Sequence, residues 1–146
     1  MKRAVRSRRK VYGQLLKHAR RQPHRECCGI LAGQDGLITQ AFPAKNAATD
    51  PVRNYEITPK EIVRLMGELR KRRLEFLGFY HSHPDHPAQW SPTDFAEAHW
   101  IGCSYVITSV ERGKATSTNS FLLAGSIEES KRFENEGISV AQPSPA

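Results

Sequence analysis

The chain has 146 residues, 38% of them hydrophobic and 8% aromatic, which suits a single domain with a core of its own. No run of about 18 uncharged apolar residues occurs, so a membrane-spanning helix is not expected. The net charge of +7 is uneven: residues 1–25 hold ten Lys or Arg and no acid, while the rest hold 12 basic and 15 acidic residues, so the basicity belongs to one end of the chain.

Residues 1–9 are expected to form a flexible basic arm ahead of a domain spanning 10–140. Such an arm suits contact with nucleic acid or an acidic protein, but no aromatic residues interleave it to stack on bases, so nucleic acid is not an expected partner. From Lys10 to Gln22, Val11, Leu15 and His18 or Ala19 recur at helical spacing, and Pro23 ends the helix. Val11–Leu16 is too short and too polar for a signal-peptide core. Cys27–Gly33 reads as a first strand with Glu26 at its mouth, and Leu37–Phe42 as a second. Gln34-Asp35-Gly36 makes the hairpin turn between them. Three cysteines, two of them vicinal, do not make a secreted disulfide framework; Cys27 and Cys28 read as small strand fillers and the compartment as cytoplasmic.

Ala44–Tyr55 is a loop rich in Asn, Thr, Asp and Pro, and Asn46, Arg53 and Tyr55 in it are candidate substrate contacts. Thr58-Pro59-Lys60-Glu61 is a helix start with a capping box, followed by a buried stripe of Ile62, Leu65, Met66 and Leu69. Residues 74–80 read as a buried strand running into His81-Ser82-His83-Pro84. Ser91-Pro92-Thr93-Asp94 opens another helix, expected to reach about Trp100. Ser104–Val110 and a segment ending near Leu123 form a further hairpin about a turn at 111–114. The tail 141–146 is polar and Pro-rich, and disorder is expected there. Helices beside a mixed sheet give an α/β (α+β) sandwich. There is no internal repeat and no glycine-rich phosphate loop.

The chemistry lies between residues 81 and 94. Side chains alternate faces along a strand, so His81 and His83 point the same way, and the turn at Ser91 brings the Asp94 carboxylate back toward them. Two His and one carboxylate leave a position for water in a tetrahedral zinc shell, as a hydrolytic site requires. His86 is expected in a surface loop and His99 on a helix face, since a fourth protein ligand would close that position. Trp90 is read either as a wall of the site or as ordinary packing.

With Glu26 ahead of Cys28-Gly29-Ile30-Leu31, then His81-Ser82-His83-Pro84, seven intervening residues and Ser91-x-x-Asp94, the chain resembles the JAB/MPN (JAMM) zinc metalloprotease family over about residues 10–125. The resemblance implies the family's cytidine-deaminase-like fold, a curved mixed sheet flanked by helices. It implies zinc (Zn2+) held by His81, His83 and Asp94, Glu26 as general acid/base, and Ser91 as a stabiliser of the tetrahedral intermediate. It also implies peptidase or isopeptidase activity at the C-terminus of a ubiquitin-like β-grasp protein, sulfur carriers included. Phage-tail endopeptidases share the motif but usually carry a further domain. Two other readings compete: an iron(II) oxygenase built on the same triad, which needs neither Glu26 nor Ser91, and a noncatalytic MPN-type protein-binding module, whose members generally lose ligands that are all present here.

Overall fold

Helix α1 (Arg9–Arg21) and the sheet curled around it set the architecture. The computed structural model describes residues 4–141. Before α1 comes strand β1 (Ala4–Arg8), and after it β2 (Cys28–Gln34), β3 (Leu37–Ala44), α2 (Pro59–Lys71), β4 (Glu75–Pro84) and α3 (Pro92–Ala96). β5 (Ser104–Glu111), β6 (Lys114–Ala124), a 3-10 turn at Glu128–Ser130 and β7 (Arg132–Ala141) complete the described chain. The strands lie in the order β1-β3-β2-β4-β5-β6-β7, and β7 returns to β1 to close a barrel. β1 runs parallel to both β3 and β7, and β4 parallel to β5; the other pairs are antiparallel.

Burial on both faces explains why β2 reads as an unbroken apolar run. Leu31, with Cys27 just before the strand, joins Val11, Leu15 and Ala19 of α1 in one core; Cys28, Ile30 and Ala32 join Leu65 and Leu69 of α2 in the other. α1 touches β1 and β3 through β7, so its apolar edge is enclosed by the curl of the sheet. Burying Val11 and Leu15 there is worth about 1.5–3 kcal/mol each. Helix α2 starts at Thr58, whose hydroxyl accepts from the Glu61 N–H at 3.2 Å, with Pro59 in the first turn; the expected capping box is only half made, since the Glu61 carboxylate pairs with Arg64 instead. The Asp35-Gly36 turn has positive φ at both residues (53° and 76°), the primed geometry that suits a two-residue hairpin. At Gly78 a Cβ would stand 2.0 Å from the Ser104 carbonyl oxygen, so the close approach of β4 to β5 needs glycine.

The mixed sheet flanked by helices is therefore found, and four expectations are revised. Residues 4–8 of the basic arm form β1 rather than a flexible appendage, with Val5 and Ser7 turned inward and the arginines of that strand outward, and Arg9 already belongs to α1; residues 1–3 lie outside the described residues. The helix expected to reach Trp100 ends at Ala96, because the chain must turn through Gly102 (φ 95°) to enter β5, and Tyr105 Oη takes the Trp100 N–H at 3.2 Å. The last strand, β7, had no counterpart in the sequence reading. It runs to Ala141, so the expected disordered tail loses its first residue to the sheet; residues 142–146 lie outside the described residues.

Candidate metal centre and active site

The histidines stand where β4 passes between β2 and β5: His81 pairs with Cys28 on one side and Ile107 on the other, and His83 pairs with Ser109. Strand alternation turns His81 and His83 to one face and Ser82 to the opposite one. Their Nε2 atoms are 3.2 Å apart. Asp94 arrives from α3, where a capping box fixes it: the Ser91 Oγ accepts from the Asp94 N–H at 3.0 Å, and Asp94 Oδ2 accepts from the Ser91 N–H at 3.0 Å. The same Oδ2 stands 3.1 Å from His83 Nε2 and 3.3 Å from His81 Nε2.

This triangle fits a metal ion. A tetrahedral ion bonded to N and O donors at about 2.0–2.1 Å holds its ligand atoms about 3.3 Å apart. The donor chemistry agrees. His83 Nδ1 lies 2.9 Å from the Pro87 carbonyl oxygen, which can only accept, so that nitrogen carries the hydrogen. A neutral His83 then aims its Nε2 lone pair at an oxygen of a carboxylate, and a cation between the two removes the conflict. The pKa shifts express the same tension. Burial lowers His81 against the pull of Asp94, keeping a neutral lone-pair donor. For His83 burial is outweighed by its bonds to Asp94 and Pro87 and by the Asp94 charge, and the net shift is upward. Asp94 is buried too, yet the two imidazoles and the Ser91 N–H hold it far below the usual carboxylate range.

Glu26 completes the group. One donor atom from each of Glu26, His81, His83 and Asp94 lies within 4.8 Å of the others. Its side chain is buried (2% exposed), and Oε1 has no hydrogen-bond partner among the described residues. Burial raises its pKa from 4.5 to about 8; His83 opposes the rise, and Asp94 and Asp50 add to it. A cavity of about 530 Å³ opens over the group, lined by Glu26, His83 and Ser91 together with Arg53, Asp50 and His86. All five expected site residues, Glu26, His81, His83, Ser91 and Asp94, thus converge.

Of the other expectations some hold and some change: the surface-loop position of His86 holds, and the helix-face position of His99 does not. His86 is exposed and borders the cavity, while His99 lies beyond the end of α3 and contacts Glu128 at 3.1 Å. Trp90 packs on Phe95 and Phe133. Arg53 does line the cavity. Asn46, expected as a substrate contact, is instead a buried brace of the 44–55 loop. Its Nδ2 donates to the carbonyls of Glu26 (3.0 Å) and Asn54 (2.9 Å), and its Oδ1 accepts from the N–H groups of Ala48 and Glu56. With the Glu26 N–H donating to the Pro51 carbonyl at 2.7 Å, the loop clamps the Glu26 backbone from both sides. Tyr55 stacks on His81, ring centroids 4.3 Å apart. The sequence reading also passed over Ser82. On the opposite face of β4 its Oγ accepts from the Cys27 N–H at 2.9 Å, and its N–H donates to the Cys27 carbonyl at 3.1 Å, fastening β4 beside Glu26. No local pattern marks such a role, since the partner is 55 positions away.

A curved mixed sheet wrapped on one helix, with His81 and His83 of β4, Asp94 of α3 and the buried Glu26 carboxyl ahead of β2 grouped so that they could hold a metal ion, defines a JAB/MPN-fold protein. Residues 8–124 match the family of prokaryotic homologs of the JAB domain, and the chain belongs to that family. It is 37% identical over 109 residues to the desampylase of Haloferax volcanii, covering 70% of this chain and 78% of that one. It is 32% identical over 83 residues to a Thermus thermophilus protein described as "Probable TtuB-protein conjugate cleaving protease", covering 57% and 55%. A JAB1/MPN domain protein from Archaeoglobus fulgidus shares the fold, with a TM-score of 0.55 at 14% identity over 92% of this chain and 95% of that one. The enzyme class is a JAMM-type hydrolase. Among the described residues no helix is long and apolar enough to cross a membrane.

Proposed function

We propose that this protein is a zinc-dependent peptidase or isopeptidase that hydrolyses an amide bond at the C-terminus of a ubiquitin-like β-grasp protein, sulfur carriers included. One observation carries most weight: a buried carboxyl, Glu26, with an uncommitted oxygen shares a group 4.8 Å across with two imidazoles and a carboxylate under an open cavity. An iron(II) oxygenase has no use for that carboxyl, and a binding module no use for the full set. The substrate class is supported by the relatives named as a desampylase and as a TtuB-protein conjugate cleaving protease.

In this reading His81, His83 and Asp94 hold the zinc. When bound, zinc supplies Lewis acidity and lowers the pKa of a water molecule from about 15.7 toward about 7. Glu26 takes the proton at Oε1 as water attacks the amide carbon, then returns it to the leaving amine nitrogen, so acid and amine leave with the proton balance closed. Burial favours the protonated carboxyl and a nearby dication favours the carboxylate, which keeps both states accessible near neutral pH. The Ser91 hydroxyl accepts from Asp94 in the cap, a bond that does not commit its own proton, and that proton is donated to the developing oxyanion. Three free cysteines suit a reducing cytoplasm.

Metal analysis of protein purified without added metal, together with a panel of β-grasp proteins extended past their C-terminal glycine, tests the proposal. About one zinc per chain and release of the extension, stopped by a chelator, are expected. Stoichiometric iron, or no cleavage across the panel by zinc-loaded protein, overturns it.

A further inference from the structure

We propose that the groove between α1 and the outer edge of β3 binds an extended acidic segment of a protein partner, which joins the sheet as an added strand. β3 pairs with β2 along its length, from Leu37 to Ala44. On its other side it pairs with β1 only through Leu37 and Ile38, because the chain leaves β1 for α1 at Arg9. From Thr39 to Ala44, therefore, the outer edge has no strand beside it among the described residues. Two cavities of about 490 and 320 Å³ run along this edge and adjoin at Gln14 and Ala41. Six residues of open edge match an extended segment about 20 Å long.

The chemistry of the walls selects the occupant. Arg8, Lys10, Lys17, His18, Arg21 and Arg72 line the two cavities, and among the described residues no carboxylate does. Arg72 is already paired with Glu68 at 3.4 Å and lies over the Phe42 ring, which leaves the cations of β1 and α1 to face an incoming chain. A second copy of the same edge would bring the same positive charge, which opposes self-pairing. Single-stranded nucleic acid would need aromatic faces to stack on. Here Phe42 is covered by Arg72, and Tyr80, 3% exposed, is held edge-on by His18. An acidic peptide in strand conformation satisfies both the open ladder and the charge.

The test is fluorescence anisotropy with a labelled eight-residue peptide alternating Glu with Val. The same peptide N-methylated along its backbone, a Lys-for-Glu version and a single-stranded oligonucleotide serve as probes. The glutamate peptide is expected to bind, with an affinity that falls as salt rises. The double variant Lys17→Glu/Arg21→Glu should weaken it by about tenfold or more, and Lys114→Glu at the β5–β6 turn should leave it unchanged. Thermal melts check that each variant is folded, and turnover of a short peptide substrate should not change. Equal binding of the N-methylated peptide overturns the added strand, and indifference to Lys17→Glu/Arg21→Glu overturns the location. No binding of the glutamate peptide, or tighter binding of the oligonucleotide, overturns the occupant. Because binding is read without catalysis, failure here is distinguishable from failure of the hydrolase reading.

Discussion

Replacing Ser82 by alanine should separate the fastening of the site from its chemistry. The hydroxyl is fully buried and serves as acceptor for the Cys27 N–H at 2.9 Å. Its removal leaves a buried amide unpaired, at a cost of about 1–3 kcal/mol. For a domain of this size that lowers Tm by about 3–12 °C. The proposed metal ligands are left in place, since the Oγ lies on the face of β4 opposite His81 and His83. Glu26, one residue before Cys27, loses part of its restraint while keeping its bonds to Asn46 and Pro51. Turnover should therefore fall by about 10–10²-fold with metal content unchanged, the size of effect that a misplacement of about 1 Å produces. Calorimetry, metal analysis and cleavage of one β-grasp fusion are measured on the same preparation, with Ser82→Thr expected to recover most of both losses. A variant with wild-type Tm and turnover would refute the reasoning, because the bond to Cys27 would then hold nothing.

Glu26→Gln should keep the fold and the metal while losing about 10²–10⁴-fold in turnover, the usual worth of a positioned acid/base; near-normal activity with metal bound would hand the proton transfer to another group. In the metal-free protein the raised pKa of Glu26 means that stability is fully present below 4.5 and declines as pH rises toward about 8. Melts across that window should show a slope that Glu26→Gln flattens, and an unchanged slope would place the titration elsewhere. His81→Ala or Asp94→Ala should abolish stoichiometric metal and activity together, and metal analysis showing full retention would remove either residue from the ligand set. Ser91→Ala should retain metal and lose about 10²–10³-fold in turnover through the missing oxyanion donor, with about 1 kcal/mol of stability lost with the cap.

What could be read from the sequence was local. The capping box at Ser91 and Asp94, the Asp35-Gly36 turn and the shared face of His81 and His83 each depend on residues within three positions, so spacing alone specifies them. β1 escaped notice because only Val5 marks its inward face; the other inward residue is Ser7, and the arginines between read as a charged tail. β7 was hidden by a carboxylate in its interior. Glu136, 7% exposed, accepts hydrogen bonds from the hydroxyls of Ser104 and Ser120, which β5 and β6 bring to it from 32 and 16 positions away. The brace at Asn46 and the fastening at Ser82 are of the same kind, since their partners meet only in the folded chain.

The parallel pairing of β1 with β7 imposes an order on biosynthesis. Ala4 registers with Gly137 and Arg8 with Ala141, so β1 is completed by a strand that is synthesised long after it. At about 5–20 residues per second, β1 waits roughly 7–27 s for its neighbour. Throughout that interval α1, β2, β3 and β4 can assemble the two cores and bring Glu26 to the histidines, while the seam of the barrel stays open. A nascent chain halted before residue 132 should thus carry a formed triad in an unclosed sheet, with β1 exposed to chaperones or to the strands of other chains on the same polysome.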